Sequence, residues 1–249
     1  MRGLLAALSS SFNRIGALGR KELGSLIFSP ALYGASVFFF LFLGIHFFYL
    51  QRFFAFNSTS LRPFFSAFPL ALTLVVPLLT MKSWAEEAKL GSLELLLTLP
   101  LEEWELVLGK FISSFLPLLG MLLLTASFPL SLLPLGQFDG GIILAEYSGT
   151  ILLGASATAL GLLMSSLSKS QASAFLGTIV VLGAAMHMHL LSPALPPFLA
   201  SFFSFFSLAF HFENFSRGIL DSRDLAFFLL STCLFLYLNT QVLMFRRYR

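Results

Sequence analysis

A single cysteine, Cys233, stands in 249 residues, so no disulfide closes within the chain and no thiolate cluster can hold a metal. Charge is almost as scarce. Asp, Glu, Lys and Arg make up 11% of the residues, against about 25% in soluble domains, which excludes a water-soluble globular fold. A phosphate-binding loop is missing too, since it needs a glycine-rich turn ending in Lys and then Ser or Thr. Gly109-Lys110 runs on into Phe111, and neither Lys82-Ser83 nor Lys169-Ser170 follows glycines. The string LSKSQ at 167–171 lacks both glycines of the ATPase signature LSGGQ. The chain therefore has no nucleotide site of its own. A basic groove with interleaved aromatics is also absent, so nucleic acid is not an expected partner.

What is abundant is apolar: 57% of the residues are hydrophobic, 31 of them Phe, and the mean hydropathy is +0.88. A spanning helix needs about 20 consecutive apolar residues, whereas membrane barrels show short alternating segments. Six runs without Asp, Glu, Lys or Arg meet that length, at 31–50, 63–81, 111–135, 147–168, 170–191 and 225–245. They predict an all-α membrane protein of six transmembrane helices, folded as one transmembrane domain over 1–249. If the N-terminus is cytoplasmic, only Arg52, Arg62, Arg217 and Arg223 of the 15 Lys and Arg lie outside. Basic residues stay on the cytoplasmic side, so both termini are expected there.

Two segments sit between these categories. Residues 192–212 are uncharged and long enough to cross, and a seventh span would hardly alter the charge split. However, Pro193, Pro196 and Pro197 obstruct a regular helix at its start, which favours a re-entrant or interfacial segment within an external region at 192–224. The N-terminal patch LLAAL is shorter than a signal-peptide core, so residues 1–30 read as retained. Within them, 13–29 can form an interfacial helix with Ile15, Leu18, Leu23, Leu26 and Ile27 on one half and Arg14 and Lys21 on the other. Pro30 suits the first turn of span 1, and 225–249 hold span 6 and a cytoplasmic tail.

The acidic residues are unevenly placed. Half of the 12 carboxylates, namely Glu86, Glu87, Glu94, Glu102, Glu103 and Glu105, fall in the 82–110 window between spans 2 and 3. Ser92 can cap a helix there, Glu94 sits in its first turn, and Pro100 stops it. Leu93, Leu96 and Leu97 would face apolar surroundings, with Glu94 and Thr98 opposite. Glu86 can pair with Lys89. Such a helix could dock a soluble partner through its acidic face, or simply anchor the chain at the interface.

Other chemistry is thin. MHMH at 186–189 offers sulfur and imidazole suited to copper, yet His187 and His189 point about 200° apart on a helix, and ordinary packing is the simpler reading. His46 and His211 each stand alone. Glu146, at the outer start of span 4, reads as interfacial rather than as a substrate ligand. The small residues of GASATALG, 154–161, permit close helix contact, either within the chain or with a second subunit. Few charges inside the spans argue against an ion-driven pump.

The string EEAKLGSLELLLTLPLEEWELVLGK at 86–110 resembles the signature of type-2 ABC transporter permeases. RKELGSLIFSP at 20–30 is similar to that family's elbow helix, and SSLSKSQASA at 165–174 to its connection between spans 4 and 5. HFENFSRGILDSRDLAFF at 211–228 is similar to the last external segment of the branch related to gliding-motility permeases. The resemblance implies a membrane subunit in the bacterial cytoplasmic (inner) membrane that pairs with a copy of itself or a sister permease. Two cytoplasmic ATPases would bind ATP and Mg, while this chain binds no cofactor. By motif position, Glu86, Glu87, Gly91, Ser92, Glu94, Leu95, Thr98 and Pro100 would form a coupling helix, with Arg20, Lys21 and Glu22 on the elbow. Export is the expected activity, and an accessory protein on the external face is left open. A non-transporting anchor for a soluble partner and a copper-linked maturation permease are the alternatives.

Overall fold

The computed structural model describes residues 2–51, 60–98, 101–132, 134 and 138–247. Every regular element among them is helical, and six helices are long and apolar enough to cross a membrane. These are span 1 (Pro30–Leu50), span 2 (Arg62–Leu90), span 3 (Glu103–Leu132), span 4 (Gly140–Leu167), span 5 (Gln171–Ala194) and span 6 (Ser222–Arg247). All six expected runs are recovered. Their ends reach further than the uncharged stretches, because Glu86, Glu87, Glu103, Glu105, Lys110 and Asp224 continue the helices.

Spans 2 and 4 occupy the centre. Their apolar windows are 72% and 67% buried, against 22% for spans 1 and 5 and 17% for span 6. Span 4 touches spans 2, 3, 5 and 6, and the small residues of 154–161 make this possible. A Cβ on Gly161 would lie 2.6 Å from Thr80 Oγ1, and one on Gly154 would lie 3.2 Å from Leu118 Cδ2. Ser156 Oγ meets the Phe228 carbonyl at 3.0 Å and Thr232 Oγ1 at 2.9 Å. The GASATALG stretch is therefore packed against the chain's own spans 2, 3 and 6.

Phenylalanine fills the half of the core opposite the termini. Phe47, Phe64, Phe65 and Phe68 are fully buried. Phe64 lies edge-on to Phe68 at 5.3 Å, and Phe65 lies perpendicular to Tyr147 at 5.0 Å, geometries that match the ring quadrupole. Hydroxyls in the spans return to their own backbones, as in Thr73 to the Pro69 carbonyl and Thr178 to that of Ala174. In lipid that bond avoids an unsatisfied polar group.

The 192–212 segment makes no seventh span. It is divided between the 3-10 turn Met188–Ala194 and the helices Pro197–Phe206 and Leu208–Ser216. Ten residues give Pro197–Phe206 a length of about 15 Å, half of the hydrocarbon thickness. His211 is not alone, contrary to expectation. Its Nδ1 is 2.6 Å from Asp224 Oδ1, its Nε2 2.9 Å from the Phe205 carbonyl, and its ring stacks on Phe227 at 3.9 Å. Asn214 donates to Asp224 Oδ2 at 2.7 Å, so this histidine ties Leu208–Ser216 to the start of span 6.

Candidate coupling face

The N-terminal helix, Arg2–Ile27, packs along span 3. Close approach is possible because Gly109 stands in the seam: a Cβ there would come within 2.8 Å of Leu18 Cδ2. Ile15 is buried and Leu18 partly so, in keeping with the expected apolar face, while Ile27 is 41% exposed. Ser29 accepts from the Ala31 N–H and Pro30 takes the first turn of span 1. The chain thus turns sharply from surface helix to span.

Span 2 ends in a short helix, Ala85–Leu90, and Gly91 separates it from a second, Ser92–Thr98. Gly91 has φ 72°, the left-handed conformation that ends helices and that a Cβ disfavours. Leu93 and Leu96 are buried, as their spacing predicts, while Glu94, Leu95 and Thr98 are exposed, Leu95 by 73%. Ser92 Oγ donates to the Glu87 carbonyl at 3.5 Å, joining the two short helices rather than capping its own. The side chain of Leu97 and all of Pro100 lie outside the described residues.

Ser165 of span 4 holds the root of this element. Its Oγ accepts from the Trp84 and Ala85 N–H groups at 3.1 and 3.2 Å, satisfying donors that the first turn of a helix leaves open. Lys110 of span 3 is the second anchor and is fully buried. Its ammonium reaches Glu87 Oε1 at 2.8 Å, Glu22 Oε2 at 3.2 Å and the Ser83 carbonyl at 2.8 Å, and stands 4.7 Å over the Trp84 ring. One cation so joins the N-terminal helix, span 2 and span 3. Two further pairs brace the start of span 3: Arg14 to Glu105 at 2.8 Å and Arg247 to Glu103 at 2.6 Å. The N-terminal helix and the end of span 6 therefore meet the start of span 3 at this face.

The expected site residues divide accordingly. Glu94, Leu95, Gly91 and Thr98 face outward, as do Arg20 and Lys21 of the N-terminal helix. Glu87 and Glu22 turn toward Lys110. Glu86 borders a cavity of about 400 Å³ with Lys21, Ser29, Lys82 and Ser113, and it forms no ion pair with Lys89. That expected pair loses because Ala85–Leu90 points its carboxylates toward span 3 and the cavity. Lys110, Trp84 and Ser165 were not singled out as site residues. The signal for Lys110 was a lysine at the mouth of an apolar run that shares its end with a cluster of carboxylates.

At the other end of the bundle Glu146 is fully buried rather than interfacial. It lies inside span 4 because that helix begins at Gly140, with Asp139 accepting from the Gly141 N–H at 2.8 Å. His187 and His189 line one cavity of about 170 Å³, and His189 Nδ1 meets Ser207 Oγ at 2.7 Å. Among the described residues no three His, Cys, Asp or Glu gather as metal ligands would.

A family model described as ABC-2 family transporter protein matches residues 17–238, from the latter part of the N-terminal helix through all but the last turns of span 6. Among curated proteins nothing matches. The matched region holds the short helices, Lys110 with its carboxylates, five whole spans and most of the sixth; the chain belongs to the ABC-2 transporter family, as a multi-pass membrane protein of the permease type, a membrane subunit of a kind that is generally not itself catalytic.

Proposed function

We propose that this chain couples ATP hydrolysis by separate cytoplasmic ATPase subunits to export across the bacterial inner membrane. The observation that carries this reading is the outward face of Ser92–Thr98. Leu93 and Leu96 root the helix, Glu94, Leu95 and Thr98 are left to solvent, and Leu90 beside it is 72% exposed. An apolar and acidic knob on a braced base suits insertion into a soluble partner's groove. Family membership implies an ATPase as that partner.

The exposed face of the N-terminal helix, with Arg20 and Lys21, forms the second part of the contact. The charge split supports a cytoplasmic location for this face and both termini. ATP and Mg belong to the partner, and a second permease, identical or related, completes the transporter. Within the family, the 211–228 string supports the branch related to gliding-motility permeases.

Co-purification in mild detergent with ATPase assay tests the coupling. Wild type should bring down a nucleotide-binding subunit, and Glu94→Lys with Leu95→Asp should lose it at unchanged thermal stability. Wild-type protein recovered from several detergents without any ATPase would favour an anchor for some other soluble protein.

A further inference from the structure

Glu146 is buried six residues into span 4, about 9 Å along the helix from Gly140, yet neither carboxylate oxygen has a hydrogen-bond partner. An unpaired carboxylate at that depth is costly, and such groups mark ligand or ion sites. Glu146 borders a cavity of about 430 Å³ at the end of the bundle opposite the termini. Arg62, at the start of span 2, borders the same cavity. The Arg62 backbone N–H donates to Ser60 Oγ at 3.3 Å, but among the described residues its guanidinium makes no hydrogen bond or ion pair. The other charged groups of the lining are engaged, Asp139 with the Gly141 N–H and Arg217 with Glu213 at 3.2 Å.

A cavity with an unpaired anion at its floor and an unpaired cation at its rim is the complement of a zwitterion. Its apolar wall is Leu61, Phe138, Ile142 and Ile143, and it opens where spans 2 and 4 begin, the level of lipid headgroups. We infer that it binds the phosphoethanolamine headgroup of a lipid, with the ammonium on Glu146 and the phosphate on Arg62. Two free acceptor oxygens call for N–H donors, which a primary ammonium has and a trimethylammonium lacks. The site therefore selects phosphatidylethanolamine over phosphatidylcholine. Nothing in this depends on which protein docks at the coupling face.

Native mass spectrometry of the full chain, released from detergent containing equimolar phosphatidylethanolamine and phosphatidylcholine of matched acyl chains, tests the assignment. Wild type should retain the ethanolamine lipid about tenfold over the choline lipid, the size of one charge-assisted hydrogen bond. Glu146→Gln should bring the ratio near one at equal or higher melting temperature. Arg62→Gln, on the exposed rim, should lower retention of both lipids alike and serves if the first variant folds poorly. Equimolar glycerophosphoethanolamine should leave the bound lipid in place. A wild-type ratio near one, a preference that survives Glu146→Gln, or undiminished retention in Arg62→Gln would overturn the site. Displacement by the soluble headgroup would overturn the lipid as its occupant.

Discussion

Lys110 concentrates the consequences of burying charge. Its ammonium is out of reach of water and is compensated by Glu22, Glu87, the Ser83 carbonyl and the Trp84 ring. Removing one partner of such a set leaves the others buried without compensation, at about 3–5 kcal/mol for a closed pair. Glu22 and Glu87 remain about a fifth exposed, so Lys110→Met should lose about 3 kcal/mol in denaturant unfolding in detergent, the lower end of that range. Adding Glu22→Gln and Glu87→Gln should restore much of it. A triple variant no better than Lys110→Met would show that the loss is packing around the lysine stem. The sequence displayed the carboxylates clearly, but not which of them turn inward, because that depends on how Gly109 lets the N-terminal helix approach span 3. For Glu146 it misled: an uncharged run has to stop at a carboxylate, whereas the helix does not.

Helices in this bundle meet through glycine, and each contact predicts its own cost. At Gly149 an added Cβ would lie 2.5 Å from Phe215 Cβ, and at Gly161 2.6 Å from Thr80 Oγ1. Both neighbours are near the backbone or β-branched and cannot swing away. Gly149→Ala and Gly161→Ala should each cost about 1–3 kcal/mol. Gly120→Ala, with nothing within 4 Å, should instead stabilise span 3 by up to about 1 kcal/mol. Similar melting temperatures for all three would contradict the close packing. Gly91→Ala is a different case, since open space surrounds it but its φ of 72° costs a side chain about 1–2 kcal/mol. The expected outcome is a small fall in melting temperature with a larger fall in partner-stimulated ATPase rate, because the strain is relieved by tilting Ser92–Thr98. Spacing alone gave the buried Leu93 and Leu96. The division of 85–98 into two helices was not read from it, since a glycine between apolar stretches is compatible with one continuous helix as well.

The whole molecule has an inside and a rim. Composition and run length sufficed for six helices, but which of them are enclosed is a property of the assembled bundle. All the spans are comparably apolar, with hydropathies of 1.6–2.0, and only small side chains in span 4 hint at its central place. Sidedness is open to direct measurement. In a Cys233→Ala background, Ser222→Cys should react with a membrane-impermeant maleimide in intact cells, and Lys169→Cys only after permeabilisation. The reverse pattern would invert the topology drawn from the charge split.

Span 4 also sets how displacement travels. Ser165 grips the root of the short helices at one end of this helix, and Glu146 floors the cavity near the other, about 28 Å away at 1.5 Å per residue. Neighbouring helices enclose the rod along most of that distance, so it is better suited to shift or turn as a unit than to flex. Mechanically it is a push-rod. A load applied through Trp84 and Ala85 would be carried toward Glu146 along a single helix, and a ligand seated on that carboxylate would resist the same stroke from the far side.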